Sequence, residues 1–165
     1  MKQEILRFEN VTCKKDGAVY LDNFSFYMTT GEIVGMLSVN DRGIKELIEL
    51  TEKNHPIDAG RVYVDGKLVN SYLNQEETSN RIYQIDQKSS LISDLSIADN
   101  LFVMRPGFKK HMINEWVLRE QAARVFKQLS MELDLNKRVE RLTTMERIMV
   151  EIAKAYLMGS KLLVV

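Results

Sequence analysis

Residues 33–51, IVGMLSVNDRGIKELIELT, contain the order of elements that decides the fold. The run from Ile33 to Leu37 is fully apolar and has the length of a buried strand. A polar loop follows this run. The residues after the loop recur at helical spacing on one side of a predicted helix, namely Ile44, Leu47, Ile48 and Thr51. A buried strand, a loop and a helix in this order predict an α/β protein.

Further strands are predicted on both sides of this stretch. Before it, two sets of apolar residues keep the spacing of strands, namely Leu6, Phe8 and Val11, and then Phe24, Phe26 and Met28. After it, RVYVDGKLV (61–69) alternates about Asp65-Gly66, which is a dipeptide typical of a hairpin turn. RIYQID (81–86) predicts one more short strand.

The second half of the chain is predicted to be mainly helical. Ser96 and Asp99 resemble a capping box at the start of a helix. Between Glu115 and Leu133, apolar residues recur at spacings of three and four, which predicts one amphipathic helix.

A second long helix is predicted from Thr144 to about Met158. Thr143 and Glu146 form its capping box, and Gly159 is placed to end it. KLLVV (161–165) then predicts a buried strand.

Composition and charge fit one globular domain and limit its partners. The chain has 165 residues, and 23 Lys plus Arg balance 23 Asp plus Glu. Zero net charge without a basic stripe argues against direct nucleic-acid binding. Cys13 is the only cysteine, and MKQEILRFEN at the start lacks the apolar run of a signal peptide, so a cytoplasmic location is expected. The longest apolar run has five residues, far fewer than a membrane span needs.

Four tracts in this order resemble the nucleotide-binding domain of ABC transporters, most closely the sugar-importer type. The opening residues 5–37 resemble the family's first sheet, and AGRVYVDGKLV (59–69) resembles the strand after its first helix. IYQIDQKSSLISDLSIADNLFV (82–103) is similar to the Q-loop segment, and MVEIAKAYLMGSKLLVV (149–165) to the signature helix that runs into the Walker B strand. The order of the four tracts, more than any one of them, makes the resemblance specific.

The resemblance implies a fold and a domain boundary. It implies an α/β fold with a P-loop NTPase-like ABC ATPase core, an antiparallel β subdomain and a helical insert at about 95–143. Residues 1–165 would then be a single, partial domain that is C-terminally truncated at the Walker B strand. The Walker B aspartate and the catalytic glutamate would follow Val165, so no catalytic residue and no metal ligand is assigned.

The resemblance places a degenerate phosphate-binding loop at SVNDRGIKE (38–46), where the family has G-x-N-G-A-G-K-S-T. Asn40 and Gly43 match the family. Ile44 stands at the position of the lysine that reaches the outer phosphates. Lys45 could substitute for that lysine, although one step along a helix turns a side chain by about 100°.

Two acidic residues of the same loop also depart from the family. Glu46 and the neighbouring Lys45 replace the Ser-Thr pair of the family, so the hydroxyl that binds Mg²⁺ is missing. Asp41 replaces a glycine, either as the N-cap of the following helix or as a negative charge near the phosphates. Both interpretations disfavour a nucleotide, so ATP and Mg²⁺ are expected to bind weakly or not at all.

The family signature L-S-G-G-Q aligns with LTTME (142–146). Thr143 keeps a hydroxyl at the serine position, which implies a contact to the γ-phosphate bound by a partner subunit. Both glycines are missing, and Glu146 brings a negative charge. The alternative is a capping box that only starts a helix.

Two more residues belong to the implied ATP site. Gln87 matches the Q-loop glutamine, although a surface glutamine in a loop is the other interpretation. Tyr20 lies near the position of the aromatic residue that stacks on adenine, and a core tyrosine is equally compatible. His55 and His111 have no partners at the spacing of metal ligands.

The sequence leaves three hypotheses for the function open. The first is a degenerate cassette that acts as a binding or regulatory module of a larger protein. The second is an ATP-binding subunit that energises a sugar ABC transporter, and the third is a structural fragment. The partners implied are a membrane permease, through which the protein would associate with the membrane, a second cassette or a regulatory domain. The domain itself is expected to be a monomer rather than a dimer, because the residues that hold ATP between two subunits depart from the family.

Overall fold

The computed structural model describes residues 2–37, 43–52, 57–70, 82–85, 89–103 and 115–165. These residues form two compact units. The first runs to Ile82 and includes Val164, and the second runs from Tyr83 to Leu163 and includes Val165. The assignment of the chain to a single domain stays a prediction.

The first unit is built on a four-stranded antiparallel sheet. Its strands are β1 (Glu4–Lys15), β2 (Ala18–Thr29), β3 (Ala59–Val64) and β4 (Lys67–Asn70), in the order β2-β1-β3-β4. The two predicted apolar sets face each other across β1 and β2, with the pairs Leu6 and Met28, Phe8 and Phe26, and Val11 and Phe24. The strand predictions for both sets are therefore confirmed.

Two-residue turns join the strands of both hairpins. Asp65 and Gly66, with φ of 51° and 72°, connect β3 to β4, as the sequence predicts. Asp16 and Gly17, with φ of 51° and 77°, connect β1 to β2. Positive φ at both positions matches the twist of the flanking strands, which is why Asp-Gly is favoured there.

Helix α1 (Ile44–Glu52) confirms the predicted helix. Of the residues that the spacing places on one side, Leu47 is buried, whereas Ile44 and Ile48 are only half-buried. Among the described side chains of the helix, Glu46 and Leu50 are also buried. The buried side is therefore centred about one residue, or 100°, away from the predicted side.

The run from Ile33 to Leu37 does not form the predicted buried strand. Residues 32–37 belong to no strand, and the side chains of Ile33 and Leu37 are fully exposed. A strand with two apolar faces is stable only with hydrogen-bonded neighbours and a layer on each face. Among the described residues, no strand pairs with this run. The apolar run therefore does not form a strand.

The second unit is mainly helical. It contains α2 (Ile97–Val103), α3 (Glu115–Gln128), a short 3₁₀ helix at Val139–Arg141 and α4 (Thr144–Leu157). Apolar residues from all of these helices form one buried core, namely Ile97, Leu101, Phe102, Ala122, Val125, Phe126, Val139, Val150 and Ala153. Strand β5 (Ile82–Gln84) confirms the short strand predicted at 81–86 within the described residues.

Helix α3 ends at Gln128, so the prediction that it continues to Leu133 is wrong. Ser130 has a φ of 54°, and its N–H donates to the carbonyl of Lys127 while the N–H of Met131 donates to that of Phe126. These two bonds close the helix with a left-handed residue. Leu133 still packs against the core, which explains why the apolar spacing continues past the helix.

The end of the chain agrees with the prediction only in part. Helix α4 ends before Gly159, whose φ of 72° confirms its predicted role. Strand β6 (Leu162–Val164) pairs with β5. Leu162 is buried, but Val165 is 83% exposed, so KLLVV is not the fully buried strand that was predicted. No helix in the described part of the chain has the length and apolar character needed to cross a membrane.

Candidate nucleotide site

Gly43 begins helix α1 and has a conformation that glycine suits. Its carbonyl accepts the first helical hydrogen bond, from the N–H of Leu47 at 2.8 Å. Its φ is 87°, and a Cβ at this position would lie 2.9 Å from the carbonyl oxygen of Tyr20. The structure therefore brings two predicted site residues, Gly43 and Tyr20, together through their backbones. The side chain of Tyr20 is half-buried.

The carboxylate of Glu46 occupies a backbone donor at the start of α1. Its Oε2 accepts a hydrogen bond from the N–H of Gly43 at 3.2 Å, and the residue is only 7% exposed. A helix start has several N–H groups without helical partners, and these groups bind phosphates in nucleotide sites. One of them is here bound to an acidic group of the chain itself. The sequence signal, a Gly43-x-x-Glu46 spacing like that of a capping box, was missed.

Neither Ile44, at the position of the family lysine, nor the next residue, Lys45, supplies a positive charge at the helix start. Ile44 is half-buried and apolar. The side chain of Lys45 is 78% exposed, and its Nζ lies 3.6 Å from Oε1 of Glu49, one turn further along the helix. Successive side chains of a helix differ in direction by about 100°, and the position of Lys45 beside Glu49 agrees with this expectation.

Several predicted residues lie outside the described part of the chain, namely Asn40, Asp41, Gln87, His55 and His111. Their assignments stay predictions. Within the described ranges, no group of three His, Cys, Asp or Glu residues could hold a metal ion.

Thr143 and Glu146 form the predicted capping box at the start of α4. The hydroxyl of Thr143 accepts from the N–H of Glu146 at 3.2 Å, and the Glu146 carboxylate accepts from the N–H of Thr143 at 2.7 Å. Lys137 adds a charge-assisted bond, with its Nζ 2.7 Å from Oε1 of Glu146. The bond from Lys137, followed by that from the Thr143 backbone, lowers the pKa of Glu146 to about 2.

This lowered pKa predicts how an E146Q variant responds to acid. A carboxyl that titrates at about 2 in the folded protein and near 4.3 in the unfolded chain stabilises the fold above pH 4.3, and the effect is lost as the pH falls through 2. Gln can still form a capping box, so the variant loses mainly the charge. We expect a lower melting temperature than wild type at pH 7 and equal values near pH 2, in scanning calorimetry across this range. The exposed Glu132, changed to Gln, is the control; an E146Q deficit that persists at pH 2 would contradict the prediction.

Glu151 lies at the centre of a buried polar cluster that the sequence analysis missed. It is 2% exposed, in the middle of α4. Its Oε1 accepts from the N–H of Ser90 at 2.8 Å and from the hydroxyl of Ser89 at 2.9 Å, and its Oε2 accepts from the hydroxyl of Tyr83. Burial, followed by the bond to Glu151, raises the pKa of Tyr83. The available signal was a charge on the apolar side of a helix, at Val150-Glu151.

Solved structures with the same fold are ATP-binding cassettes. A nucleotide-free ATP-binding cassette from an ABC transporter matches 97% of this chain with a TM-score of 0.76 and 21% identity, over 67% of its own length. CbiO1 of Clostridium perfringens, part of the ABC transporter complex cbiONQ, matches 98% with a TM-score of 0.80 and 20% identity, over 64% of its length. These likenesses show that the chain has the fold of an ABC cassette, as the sequence predicts.

A family model described as "ABC transporter" matches residues 21–165. The match covers most of the chain, which therefore belongs to the ABC transporter family.

Curated relatives of the chain are sugar-import ATP-binding proteins. The ribose import ATP-binding protein RbsA of Caldanaerobacter subterraneus is 28% identical over 98% of the chain and 33% of its own length. RbsA 1 of Streptomyces avermitilis is 30% identical over 98% of the chain and 31% of its own. The galactose/methyl galactoside import ATP-binding protein MglA of Fusobacterium nucleatum is 26% identical over 97% and 32%. The chain thus spans about a third of the length of these relatives.

Proposed function

We propose that this chain is a degenerate cassette of the sugar-importer type, which does not hydrolyse ATP and acts as a binding or regulatory module of a larger protein. The observation that carries the proposal is the hydrogen bond from the N–H of Gly43 to the buried carboxylate of Glu46. A phosphate placed at the start of α1 would compete with this carboxylate for the same donor.

Electrostatics at the start of α1 also disfavour a nucleotide. Two like charges 4 Å apart repel by about 4 kcal/mol at an effective dielectric of 20, which applies to a phosphate beside Glu46. Neither of the two described residues at the aligned positions offsets this cost, because Ile44 is apolar and Lys45 pairs with Glu49. ATP and Mg²⁺ therefore bind weakly or not at all, since the described residues do not fit the group.

The residues aligned with the signature support the same proposal. The hydroxyl of Thr143 already accepts from the N–H of Glu146, and Glu146 is ionised at neutral pH because its pKa is about 2. A phosphate held by a partner subunit would meet a carboxylate that is already paired with Lys137, and not the two glycines of the family signature. Enzymes that transfer phosphoryl groups work mainly by positioning and by stabilising negative charge, so this segment is poorly suited to hydrolysis.

The alternative is an ATP-binding subunit that energises sugar import. Its support is the match to sugar-import ATP-binding proteins over nearly the whole chain. The larger protein would then supply a second, intact cassette. In both cases the proposed partners are a membrane permease and a further cassette or regulatory domain, at the cytoplasmic face of a membrane.

Phosphate release from ATP tests whether this domain hydrolyses ATP. We expect the purified protein with Mg-ATP to release phosphate no faster than a boiled sample. The reason is that Lys, the Mg²⁺ hydroxyl and the signature glycines are all replaced, and each normally supports the transition state. Steady release that requires Mg²⁺ would refute the degenerate assignment and favour the importer subunit.

A further inference from the structure

The outer face of the four-stranded sheet carries a row of large side chains. The inner face holds the buried residues Phe8, Val62 and Val64. On the outer face, residues directly opposite each other on neighbouring strands form a row from β2 through β1 and β3 to β4, namely Tyr27, Arg7, Tyr63 and Leu68. Tyr27 is 67% exposed, and the other three are half-buried. Tyr and Arg are the residue types that contribute much of the binding energy in protein interfaces.

The charges around this row balance each other. Arg7 forms ion pairs with Glu4 and Glu9, and its guanidinium lies 4.2 Å from the centroid of the Tyr63 ring. The centre of the face therefore carries no unpaired charge. Arg61, directly opposite Glu9 on β3, is exposed. Two acidic and two basic side chains give these four groups a net charge of zero, so the face does not repel a copy of itself.

The strand order makes the charge pattern self-complementary. In the order β2-β1-β3-β4, a two-fold axis along the strands, midway between β1 and β3, lays β1 of one copy over β3 of the other. Glu9 of each copy then faces Arg61 of the other, and Tyr27 faces Leu68. A two-fold interface uses the same patch on both copies. Two sheets can pack in this way, face to face about 10 Å apart.

We propose that the outer face of the sheet binds a second copy of this chain, in a two-fold dimer that needs no nucleotide. The pairing of Glu9 with Arg61 selects a copy of the chain over a uniformly acidic or basic partner. The expectation of a monomer concerned only a dimer held by ATP, so this dimer can form or fail independently of the proposed function. The face is small, and interfaces below about 1,200 Å² in total are typical of weak complexes, so the dimer forms at high protein concentration.

Sedimentation velocity of the full chain tests for this dimer. Between about 1 µM and 1 mM, the range of a weak complex, the wild type should shift from monomer to dimer, equally with and without Mg-ATP. E9R and R61E should each stay monomeric, because each places like charges face to face at both contacts. Y27A, which shortens an exposed side chain, should weaken the dimer at least about fivefold. Circular dichroism checks that each variant is folded. A wild type that stays monomeric, or folded variants that dimerise like the wild type, would overturn the proposal.

A mixture of the two charge variants tests the symmetry of the interface. E9R combined with R61E restores opposite charges at both contacts, so fluorescently labelled R61E should sediment as a dimer when E9R is added. E132R is the matched control, because it has the same net charge as E9R and changes an exposed residue outside the sheet. Labelled R61E should stay monomeric with E132R. A mixture with E9R that stays monomeric would contradict the proposed geometry, and an equal gain with E132R would show general electrostatic attraction and also count against it.

Discussion

A Gly60→Ala variant is expected to lose the folded sheet of the first unit, with a decrease of at least about 3 kcal/mol in the free energy of unfolding. Gly60 lies in β3 with a φ of 92°. A Cβ there would lie 2.4 Å from the carbonyl oxygen of Glu9 and 2.6 Å from that of Asn10. These neighbours are backbone atoms of β1, so relief requires the two strands to separate. Urea unfolding followed by circular dichroism measures the loss.

Gly66→Ala is the matched control, because it shares the backbone strain without the collision. Gly66 has a φ of 72°, and an added Cβ would meet no atom within 4 Å. A left-handed conformation alone costs an alanine about 1–2 kcal/mol, so this variant should stay folded. Equal destabilisation of the two variants would show that φ, and not the approach of β1, governs the effect at Gly60.

Local sequence signals predict the elements whose stability is decided by neighbours along the chain. The Asp65-Gly66 turn and the Thr143 capping box each depend on residues within four positions, and both are confirmed. The alternation in β1 and β2 predicts both strands equally well, because apolar residues at every second position favour a strand with one less exposed face. Sequence signals that involve only neighbouring residues therefore predict an element without knowledge of the rest of the fold.

Features that depend on distant partners were predicted poorly. Ile33 to Leu37 has the composition of a central strand, but composition does not specify a hydrogen-bonded neighbour. Apolar spacing places Ile44, Leu47 and Ile48 on one side of α1, but the buried side contains the carboxylate of Glu46, which accepts from the N–H of Gly43. Glu151 was missed for the same reason, since its donors lie more than sixty residues away.

A variant that restores the family residues at the start of α1 is expected to gain nucleotide affinity. I44K/K45S/E46T places Lys, Ser and Thr at the aligned positions. It removes the carboxylate that accepts from Gly43 and moves the lysine from position 45 to the aligned position 44. We expect Mg-ATP to bind at least about tenfold more tightly than to wild type, which is about 1.4 kcal/mol. Isothermal titration calorimetry at fixed salt concentration is the measurement, and D41G added to the variant should increase the gain.

The control must distinguish a restored site from a change in net charge. I44K/K45S/E46T raises the net charge by one, and so does E132Q, which changes an exposed residue outside the aligned positions and leaves the pair of Lys45 and Glu49 intact. E132Q should bind Mg-ATP as weakly as wild type. A similar gain in both variants would mean that general electrostatic attraction, and not the geometry at Gly43, limits binding. Micromolar affinity of the wild type would mean that a phosphate displaces the Glu46 carboxylate from Gly43 at little cost, and the importer alternative would then explain the chain better.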